Sequence, residues 1–507
     1  MEPNTCPRID YSVVLGIAKG GCSTSGALTV FLRILPHQGT ETNLKIRTLI
    51  TGICVGSTAA ALGVMSAEAI PGDGGTSGTV GADVAVCDLP SIYRWGTYQG
   101  RTGYSVATTS VNLGDVNLEW DANNNRHPRI PQNAYRFKDG RLTQIGMSWC
   151  KDGFCALQLS GCAPPGESCN GPGGCPEYLV PNCGDPYGDS LNGSWSQLGP
   201  RSQCNAATGW FLYPPDQPQS ATNAPDRRMS ILVSDLAPAS NQGATYYCEG
   251  IYLHAQDAEA GNDNNNASFR RMTVGSLSNS GYRLNTAGST YKYQAGIYAW
   301  GLHSKTVDFQ TFDIANDGRV IIGMDSIDNG DGTWRYEYAI YNQNSHECVK
   351  SLTVPVPAGV NVTDVGFHDI HHHSGEPYST ADWIASSNSN GVTWQTDAFT
   401  VNENANAIRW GTMYSFWFTA DSPPSEDSGN FKLFRNGSRV TLNLLSPAGP
   451  DNPFDINGDG CVDGGDLGIF LTYWGSDNPA GDFDGSGLVD GGDAGLLLTN
   501  WGGDDCG

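Results

Sequence analysis

The sequence contains two copies of a twelve-residue acidic loop, displaced from each other by 27 positions. The first copy runs from Asp455 to Asp466 and the second from Asp482 to Asp493. Calcium takes about six to eight oxygen ligands, and a loop of this length offers them at positions 1, 3, 5, 7, 9 and 12. Position 6 is Gly460 in one copy and Gly487 in the other, where such a loop turns sharply. The spacing therefore predicts two calcium ions held by two loops.

The predicted ligands are oxygen atoms at the same six positions of each copy. In the first loop they are Asp455, Asn457, Asp459, the carbonyl of Cys461, Asp463 and Asp466. In the second loop they are Asp482, Asp484, Ser486, the carbonyl of Leu488, Asp490 and Asp493. An apolar run ending in Trp-Gly follows each loop, at 467–474 and 494–501, and predicts a helix. Because each helix is too short to be stable alone, we expect the two to pack together.

Acidity is concentrated in the same C-terminal stretch. Residues 451–507 contain twelve Asp and no Glu, Lys or Arg, so they carry −12 of the formal net charge of −24. Such a segment repels itself unless cations neutralise it, which favours metal binding. The overall negative charge argues against nucleic acid and against an anionic membrane surface as partners.

The duplicated loop with its following helix resembles the type I dockerin, a module with two F-hand calcium loops. Dockerins also use Asp at position 12 and place a helix only after the loop. The resemblance covers residues 454–507 and implies a cohesin-like or other cell-surface anchoring protein as partner. Cohesin-recognising dockerins commonly carry hydroxyl or charged residues at loop positions 10 and 11, where this chain has Gly464-Gly465 and Gly491-Gly492.

Residues 44–69 have the pattern of a secretory signal peptide. Lys45 and Arg47 precede a largely apolar run, and Ala67-Glu68-Ala69 supplies the small-x-small cleavage pattern. We therefore expect a secreted, extracellular or cell-surface protein with no membrane insertion after signal removal. Residues 1–43 stand in front of this signal, so we expect them not to be translated or not to be part of the mature protein.

Cysteine usage fits export. Removal of residues 1–69 leaves twelve of the 15 cysteines, an even number that predicts a fully paired disulfide set. Seven of them fall within residues 150–204, so Cys87 or Cys248 is needed to pair the odd one. That stretch has no C-x-x-C pair, which favours disulfides over zinc. Cys461 and Cys506 are predicted to pair and to join the ends of the C-terminal module.

The rest of the chain reads as short strands joined by polar turns. Alternating runs such as 334–341 and 413–418 predict strands, and 329–332 predicts a tight hairpin turn rather than a fragment of a calcium loop. We expect a mainly β protein with one or two β-sandwich-like domains, a disulfide-rich loop region and the small α-helical module. The expected domains are a disulfide-rich β domain at 70–303, a β-sandwich domain at 304–445, a linker at 446–453 and the calcium module at 454–507.

Segments of this body are similar to secreted, uncharacterised bacterial proteins that bear such modules. They are Tyr93-Arg-Trp-Gly, the strand 334–341, His372-His-Ser-Gly-Glu-Pro and Ile408-Arg-Trp-Gly-Thr-Met-Tyr. This resemblance implies location and architecture only. It suggests no activity.

Two classes of function are open for the β domains. The leading hypothesis is a non-catalytic protein whose β domains bind glycan or protein while the calcium module tethers them. The alternative is a polysaccharide-degrading glycoside hydrolase, because dockerins usually carry such cargo. Its catalytic residues are unknown, since the many Asp and Glu do not single out an acid/base pair.

Four of the nine histidines lie between residues 367 and 377. On a strand, His371 and His373 would share a face and could supply two zinc ligands, with His368, Asp369 or Glu376 as a third. A polar strand end would carry the same residues without a metal.

Overall fold

The computed structural model describes residues 79–373, 375–388, 391–449, 452–458 and 461–502. The predictions for residues 1–43 and for the signal peptide at 44–69 fall outside these residues. Within them the protein is mainly β, as predicted, with short helices between strands and two longer helices near the C-terminus. We call residues 79–449 the β body and residues 452–502 the C-terminal module.

The first part of the β body contains eighteen strands and three short helices. The strands are β1 Val84–Asp88, β2 Ile92–Tyr98, β3 Arg101–Val106, β4 Thr108–Asn112, β5 Leu118–Glu119, β6 Arg129–Ile130, β7 Gln132–Lys138, β8 Arg141–Met147, β9 Cys150–Asp152, β10 Tyr178–Leu179, β11 Gly184–Tyr187, β12 Leu198–Gly199, β13 Cys204–Asn205, β14 Trp210–Phe211, β15 Met229–Leu232, β16 Thr245–Ile251, β17 Ala267–Ser278 and β18 Gly281–Tyr291. The helices are α1 Asp189–Asn192, α2 Val233–Leu236 and α3 Ala255–Ala260. The largest sheet has the order β18-β17-β16-β7-β8, and all of its pairs are antiparallel.

Two five-stranded antiparallel sheets make up the second part of the β body. Their strands are β19 Asp308–Asp313, β20 Arg319–Asp328, β21 Trp334–Asn342, β22 Val349–Val354, β23 Val362–His368, β24 Ile384–Asn388, β25 Gly391–Gln395, β26 Thr412–Ala420, β27 Pro424–Leu433 and β28 Arg439–Pro447. One sheet has the order β19-β20-β21-β26-β23 and the other β24-β25-β22-β27-β28. Side chains from both sheets share one core, as expected of a β-sandwich.

The predicted hairpin turn is confirmed between β20 and β21. Asp328 pairs with Trp334 at the end of the ladder, and the Asn329 N–H donates to the Thr333 carbonyl at 3.0 Å. The acidic side chains of the turn bond its own backbone, since Asp328 Oδ1 accepts from the Gly330 N–H at 2.7 Å. These residues therefore stabilise a turn.

Strand β26 is buried on both of its faces. Tyr414, Phe416 and Phe418 lie in the core between the two sandwich sheets. Met413, which points the other way, belongs to a separate core that includes Tyr135 of β7. Successive residues of a strand point to opposite faces, so a near-continuous apolar run is what a doubly covered strand requires. One sandwich sheet thus packs on the first part of the body with its outer face.

Hydrogen bonds join β26 to β8 across that contact. The Met413 N–H donates to Gln144 Oε1 at 2.7 Å, and the Ser415 hydroxyl donates to the Leu142 carbonyl at 2.7 Å. The expected domain division between residues 303 and 304 stays a prediction. The contacts place the two parts of the body side by side.

Three disulfides hold the loop-rich part of the β body. They are Cys87–Cys162, Cys155–Cys175 and Cys169–Cys183, so of the two candidates for pairing outside residues 150–204 it is Cys87 that does so. Full pairing is wrong for the structure, because four cysteines are buried without a disulfide: Cys150, Cys204, Cys248 and Cys348. Cys248 and Cys348 lie in different hydrophobic clusters and so do not meet. Cys461 is disulfide-bonded, and its predicted partner Cys506 lies outside the described residues.

The C-terminal module contains two helices and a small core of its own. Helix α4 spans Gly464–Tyr473 and helix α5 spans Gly491–Thr499. The core consists of Val462, Phe470, Val489 and Leu497, so each helix contributes one fully buried side chain. Both helices are thus packed into one cluster, as predicted. Each begins three residues earlier than the apolar run, because the loop's last residues already form its first turn.

Candidate metal site

Each acidic loop ends in a helix cap made by its own carboxylates. Asp463 is the N-cap of α4, and its side chain accepts from the Gly465 N–H at 2.7 Å. Asp466, three residues later, accepts in return from the Asp463 N–H at 2.9 Å, which completes a capping box. The free N–H groups at a helix start favour negative side chains, so these acids stabilise α4.

The second loop repeats this geometry. Asp490 is the N-cap of α5 and accepts from the Gly492 N–H at 2.8 Å, while Asp493 accepts from the Asp490 N–H at 2.9 Å. The Asp490 N–H lowers the pKa of the Asp493 carboxyl. Asp493 therefore stays ionised and is fixed at the base of the loop.

Three carboxylates converge within the second loop. Asp482, Asp484 and Asp493 each offer one oxygen, and these oxygens all lie within 4.8 Å of one another. Within the described residues, this is the one group of three His, Cys, Asp or Glu side chains close enough to hold a metal ion. They are positions 1, 3 and 12 of the predicted ligand set, and the structure brings these three together.

Backbone N–H groups hold the carboxylates of this cluster in place. The Asp484 N–H donates to Asp493 Oδ1 at 3.0 Å, and the Ser486 N–H donates to Asp482 Oδ1 and to Asp484 Oδ1, both at 2.9 Å. Gly487 has φ of +87°, the left-handed conformation that the sharp turn at position 6 requires. The predicted role of Gly487 is therefore confirmed.

The other predicted ligands of the second loop lie outside this group of three. The Asp490 carboxylate is engaged in capping α5. The Ser486 hydroxyl donates to the Leu488 carbonyl at 3.1 Å. The Asp490 carboxylate and the Leu488 carbonyl each keep a free lone pair after accepting these bonds. Both can therefore still bind a metal ion.

The first loop repeats the bonds to its position-12 carboxylate, while its position-1 carboxylate is bonded from a different residue of the loop. The Asn457 N–H donates to Asp466 Oδ1 at 3.0 Å, as the Asp484 N–H does to Asp493. The Gly458 N–H donates to Asp455 Oδ1 at 2.8 Å. Asp459 and Gly460, at positions 5 and 6, lie outside the described residues.

Steric crowding favours glycine at position 11 of each loop. A Cβ on Gly492 would come 2.8 Å from Asp484 Oδ2, and one on Gly465 would come 2.8 Å from Asn457 Nδ2. Both atoms belong to the predicted ligand at position 3. At position 10, a Cβ on Gly464 or Gly491 would meet nothing within 4 Å. A side chain at position 11 would therefore have to displace the end of the position-3 side chain, whereas position 10 is open.

The chemistry of these donors fits a hard divalent cation. The predicted side-chain donors are carboxylate, amide and hydroxyl oxygens, which suit calcium better than the nitrogen and sulfur ligands of zinc sites. Residues 451–507 contain no Lys or Arg to balance the acids. Carboxylates this close repel one another, and a cation at their centre removes that repulsion.

The sequence reading missed the second role of these acids as helix caps. An Asp at the N-cap followed by another Asp three residues later was the available signal. The apolar run does not contain this signal, because each helix begins within the acidic loop that precedes the run. It also missed the steric restriction at position 11, which depends on side-chain positions that a spacing pattern does not contain.

The histidine-rich segment has a different structure from the one expected. Strand β23 ends at His368, so His371 and His373 do not share a strand face. His368 Nε2 donates to the Gln144 carbonyl at 3.0 Å, and His373 Nε2 donates to the Met147 carbonyl at 2.8 Å. Burial lowers the pKa of His372 to about 3. His368 and His373 therefore attach the end of β23 and the segment after it to strand β8, which is a structural role.

No protein-family model and no curated protein matches the chain. In the part of the chain that the structure describes, no helix combines the length and the apolar character needed to cross a membrane.

Proposed function

We propose that the protein is a secreted or cell-surface calcium-binding protein. Its C-terminal module resembles a dockerin and would tether the β body through a cohesin-like or other cell-surface anchoring protein. The β body would be non-catalytic and bind glycan or protein. The observation that supports the calcium site most directly is the convergence of Asp482, Asp484 and Asp493 within 4.8 Å.

The repetition of internal bonds strengthens the calcium proposal. In both loops the position-12 carboxylate accepts from the N–H groups of positions 3 and 9. A carboxylate held in this way by backbone is oriented before an ion arrives, which reduces the ordering cost of binding. The bond from position 9 belongs to the capping box of each helix, whereas the bond from position 3 joins the loop to its helix in both copies and is what supports a shared ion-binding geometry.

Calcium titration of the whole protein tests the proposal. We expect isothermal titration calorimetry to give two bound ions per chain, with dissociation constants of about 10⁻³ M or tighter. Asp493→Asn should abolish one of the two binding events, and Asp466→Asn the other. Asp477→Asn removes the same charge from an exposed residue outside both loops and should change neither. Absence of binding in the unmodified protein, or equal effects of all three variants, would refute the calcium site.

A glycoside hydrolase remains the alternative for the β body. Incubation of the whole protein with a panel of polysaccharides separates the two classes. Depletion of protein from solution without new reducing ends supports a binding function. Release of sugar that one carboxylate substitution abolishes would replace the binding proposal with a catalytic one.

A further inference from the structure

Two of the buried cysteines without a disulfide lie beside each other in the β body. Cys150 begins strand β9 and Cys204 begins strand β13. Cys150 pairs with Gly199 of β12, the next residue is Pro200, and the Cys204 thiol donates to the Pro200 carbonyl at 3.9 Å. Both cysteines belong to one small hydrophobic cluster, and their thiols hydrogen-bond each other. The fold thus brings together two thiols that are distant in sequence.

A buried arginine with free donors lies against this pair. The Arg129 side chain is fully buried, and its Nη1 donates to the Asp152 carboxylate. Within the described residues, Nε and Nη2 of Arg129 have no hydrogen-bond partner. A Cβ on Gly199 would come 2.3 Å from Nη2, so the guanidinium lies over the residue that pairs with Cys150. Because unpaired donors of a buried cation are costly, this position favours a negative group nearby.

The charge of Arg129 makes Cys204 the more acidic thiol of the two. Burial raises the pKa of Cys204, but the hydrogen bond from Cys150 and the charge of Arg129 together lower that pKa below its usual value. Burial, together with the hydrogen bond to Cys204, raises the pKa of Cys150 well above its usual value. The thiolate is the nucleophile in disulfide exchange, so Cys204 is suited to attack first and Cys150 second.

We propose that Cys150 and Cys204 are a redox pair that closes as a fourth disulfide of the β body. The Cys204 thiolate attacks one sulfur of an external disulfide, which forms a mixed disulfide and releases one thiolate. Cys150 then gives up its proton and attacks the Cys204 sulfur, which expels the second thiolate. The two cysteines lose two electrons and two protons, and the external disulfide is reduced to two thiols.

The reaction belongs to folding rather than to the folded state. In the structure Cys150 is 0 % and Cys204 5 % exposed, so an external disulfide reaches them only before the chain closes over them. Cys248 and Cys348 have no such neighbour and remain thiols. The inference goes beyond the proposed calcium-binding and glycan- or protein-binding functions and depends on neither.

The new bond would fasten the turn that connects the two parts of the β body. This turn directly precedes Cys204. The Arg201 and Ser202 N–H groups donate to the Glu376 carboxylate at 2.7 and 3.1 Å, and Arg201 Nη1 donates to the Gly411 carbonyl at 2.9 Å. Both acceptors lie in the second part of the body. A disulfide at Cys204 restricts the unfolded chain and so favours the state in which this turn is docked.

Oxidative refolding of the whole protein tests the pair. The reduced, denatured protein is refolded with reduced and oxidised glutathione, unfolded again without reductant, and its free thiols are alkylated. We expect mass spectrometry to find Cys150 and Cys204 unlabelled in one linked peptide, and Cys248 and Cys348 labelled. The three disulfides seen in the structure, read from the same peptide map, show that oxidation took place. Labelling of both Cys150 and Cys204, or linkage of either to another cysteine, would overturn the proposal.

Thermal unfolding of variants distinguishes one bond from two separate buried side chains. After oxidative refolding, Cys150→Ala and Cys204→Ala should each lower the midpoint by about 5 °C or more, because each removes the same bond. The double variant should lose no more than either single one, whereas losses at independent positions add. Cys248→Ala removes an equally buried thiol that has no disulfide and should lower the midpoint less. Losses that add in the double variant and do not exceed that of Cys248→Ala would contradict the bond.

Discussion

The β body and the C-terminal module treat buried acidic groups in opposite ways. In the body, Glu249 is fully buried, and its carboxylate accepts hydrogen bonds from Asn133, Tyr135, Tyr341 and the Gly296 N–H, at 2.6–3.2 Å. In the module, Asp493 is buried beside two further carboxylates, and the surrounding segment has no Lys or Arg. The buried carboxylate of the body is bonded mainly by side chains, whereas Asp493 is bonded by the backbone N–H groups of Asp484 and Asp490 and faces two further carboxylates.

The two regions also differ in how much apolar packing supports them. The sandwich core alone contains several buried aromatic rings, including Trp394, Tyr336 and Phe416. The module has four fully buried apolar side chains. Small domains with so few buried groups usually need a disulfide or a metal to be stable. The disulfide of Cys461 supplies one such support in the module, and the proposed calcium ions would supply another.

Withdrawal of calcium gives the largest expected difference between the regions. With a chelator, we expect α4 and α5 to lose essentially all protection against hydrogen exchange, because ligand binding there is coupled to folding. Strands β20, β21 and β26 should keep theirs. Hydrogen–deuterium exchange read by mass spectrometry reports on both regions in one sample. Unchanged protection of α4 and α5 after chelation would show that the two regions do not differ in their dependence on calcium.

Substitution of Glu249 tests the other side of the comparison. Glu249→Leu removes the shared acceptor of four buried donors, of which Asn133 keeps the Gly411 carbonyl, and should lower the free energy of unfolding of the body by about 3–5 kcal/mol. Glu249→Gln keeps an acceptor and should cost less, about 1–2 kcal/mol. Urea unfolding followed by circular dichroism measures both. Calcium affinity should be the same in each variant, and a change in it would mean that the regions are coupled.

A pair of neighbouring glycines gives the smallest and most local test. Gly492→Ala places a Cβ against Asp484 and should weaken calcium binding by about threefold to tenfold. Gly491→Ala enters open space at the start of α5 and should stabilise the helix by about 0.5–1 kcal/mol. Calorimetry with calcium compares them directly. Similar affinities in both variants would show that position 11 is not sterically restricted.

Sequence reasoning reached furthest where the pattern is local. The loop spacing from Asp482 to Asp493 specifies a turn and a helix start within twelve residues, so the convergence of its carboxylates follows from short-range geometry. Strands such as β21 were equally readable from alternation. The helix starts were placed too late because the acids were read only as ligands and not as caps.

Features made by distant parts of the chain were not predictable in this way. One cleft is lined by Arg136, Arg335 and Trp417, residues that approach only because β8 packs on the outer face of a sandwich sheet. The cysteine count suggested disulfides, but it could not reveal that Cys248 and Cys348 lie in separate clusters. The burial of β26 on both faces likewise depends on a partner far away in sequence.

The double burial of β26 has a consequence for dividing the protein. A sandwich produced alone would leave Met413 and the other residues of its outer face in water, an apolar surface suited to aggregation. A first part produced alone would lack its bonding partners for Leu142 and Gln144. The two parts of the body should therefore be expressed together. A truncation that removes the C-terminal module is best placed in the short stretch between Pro447 and that module.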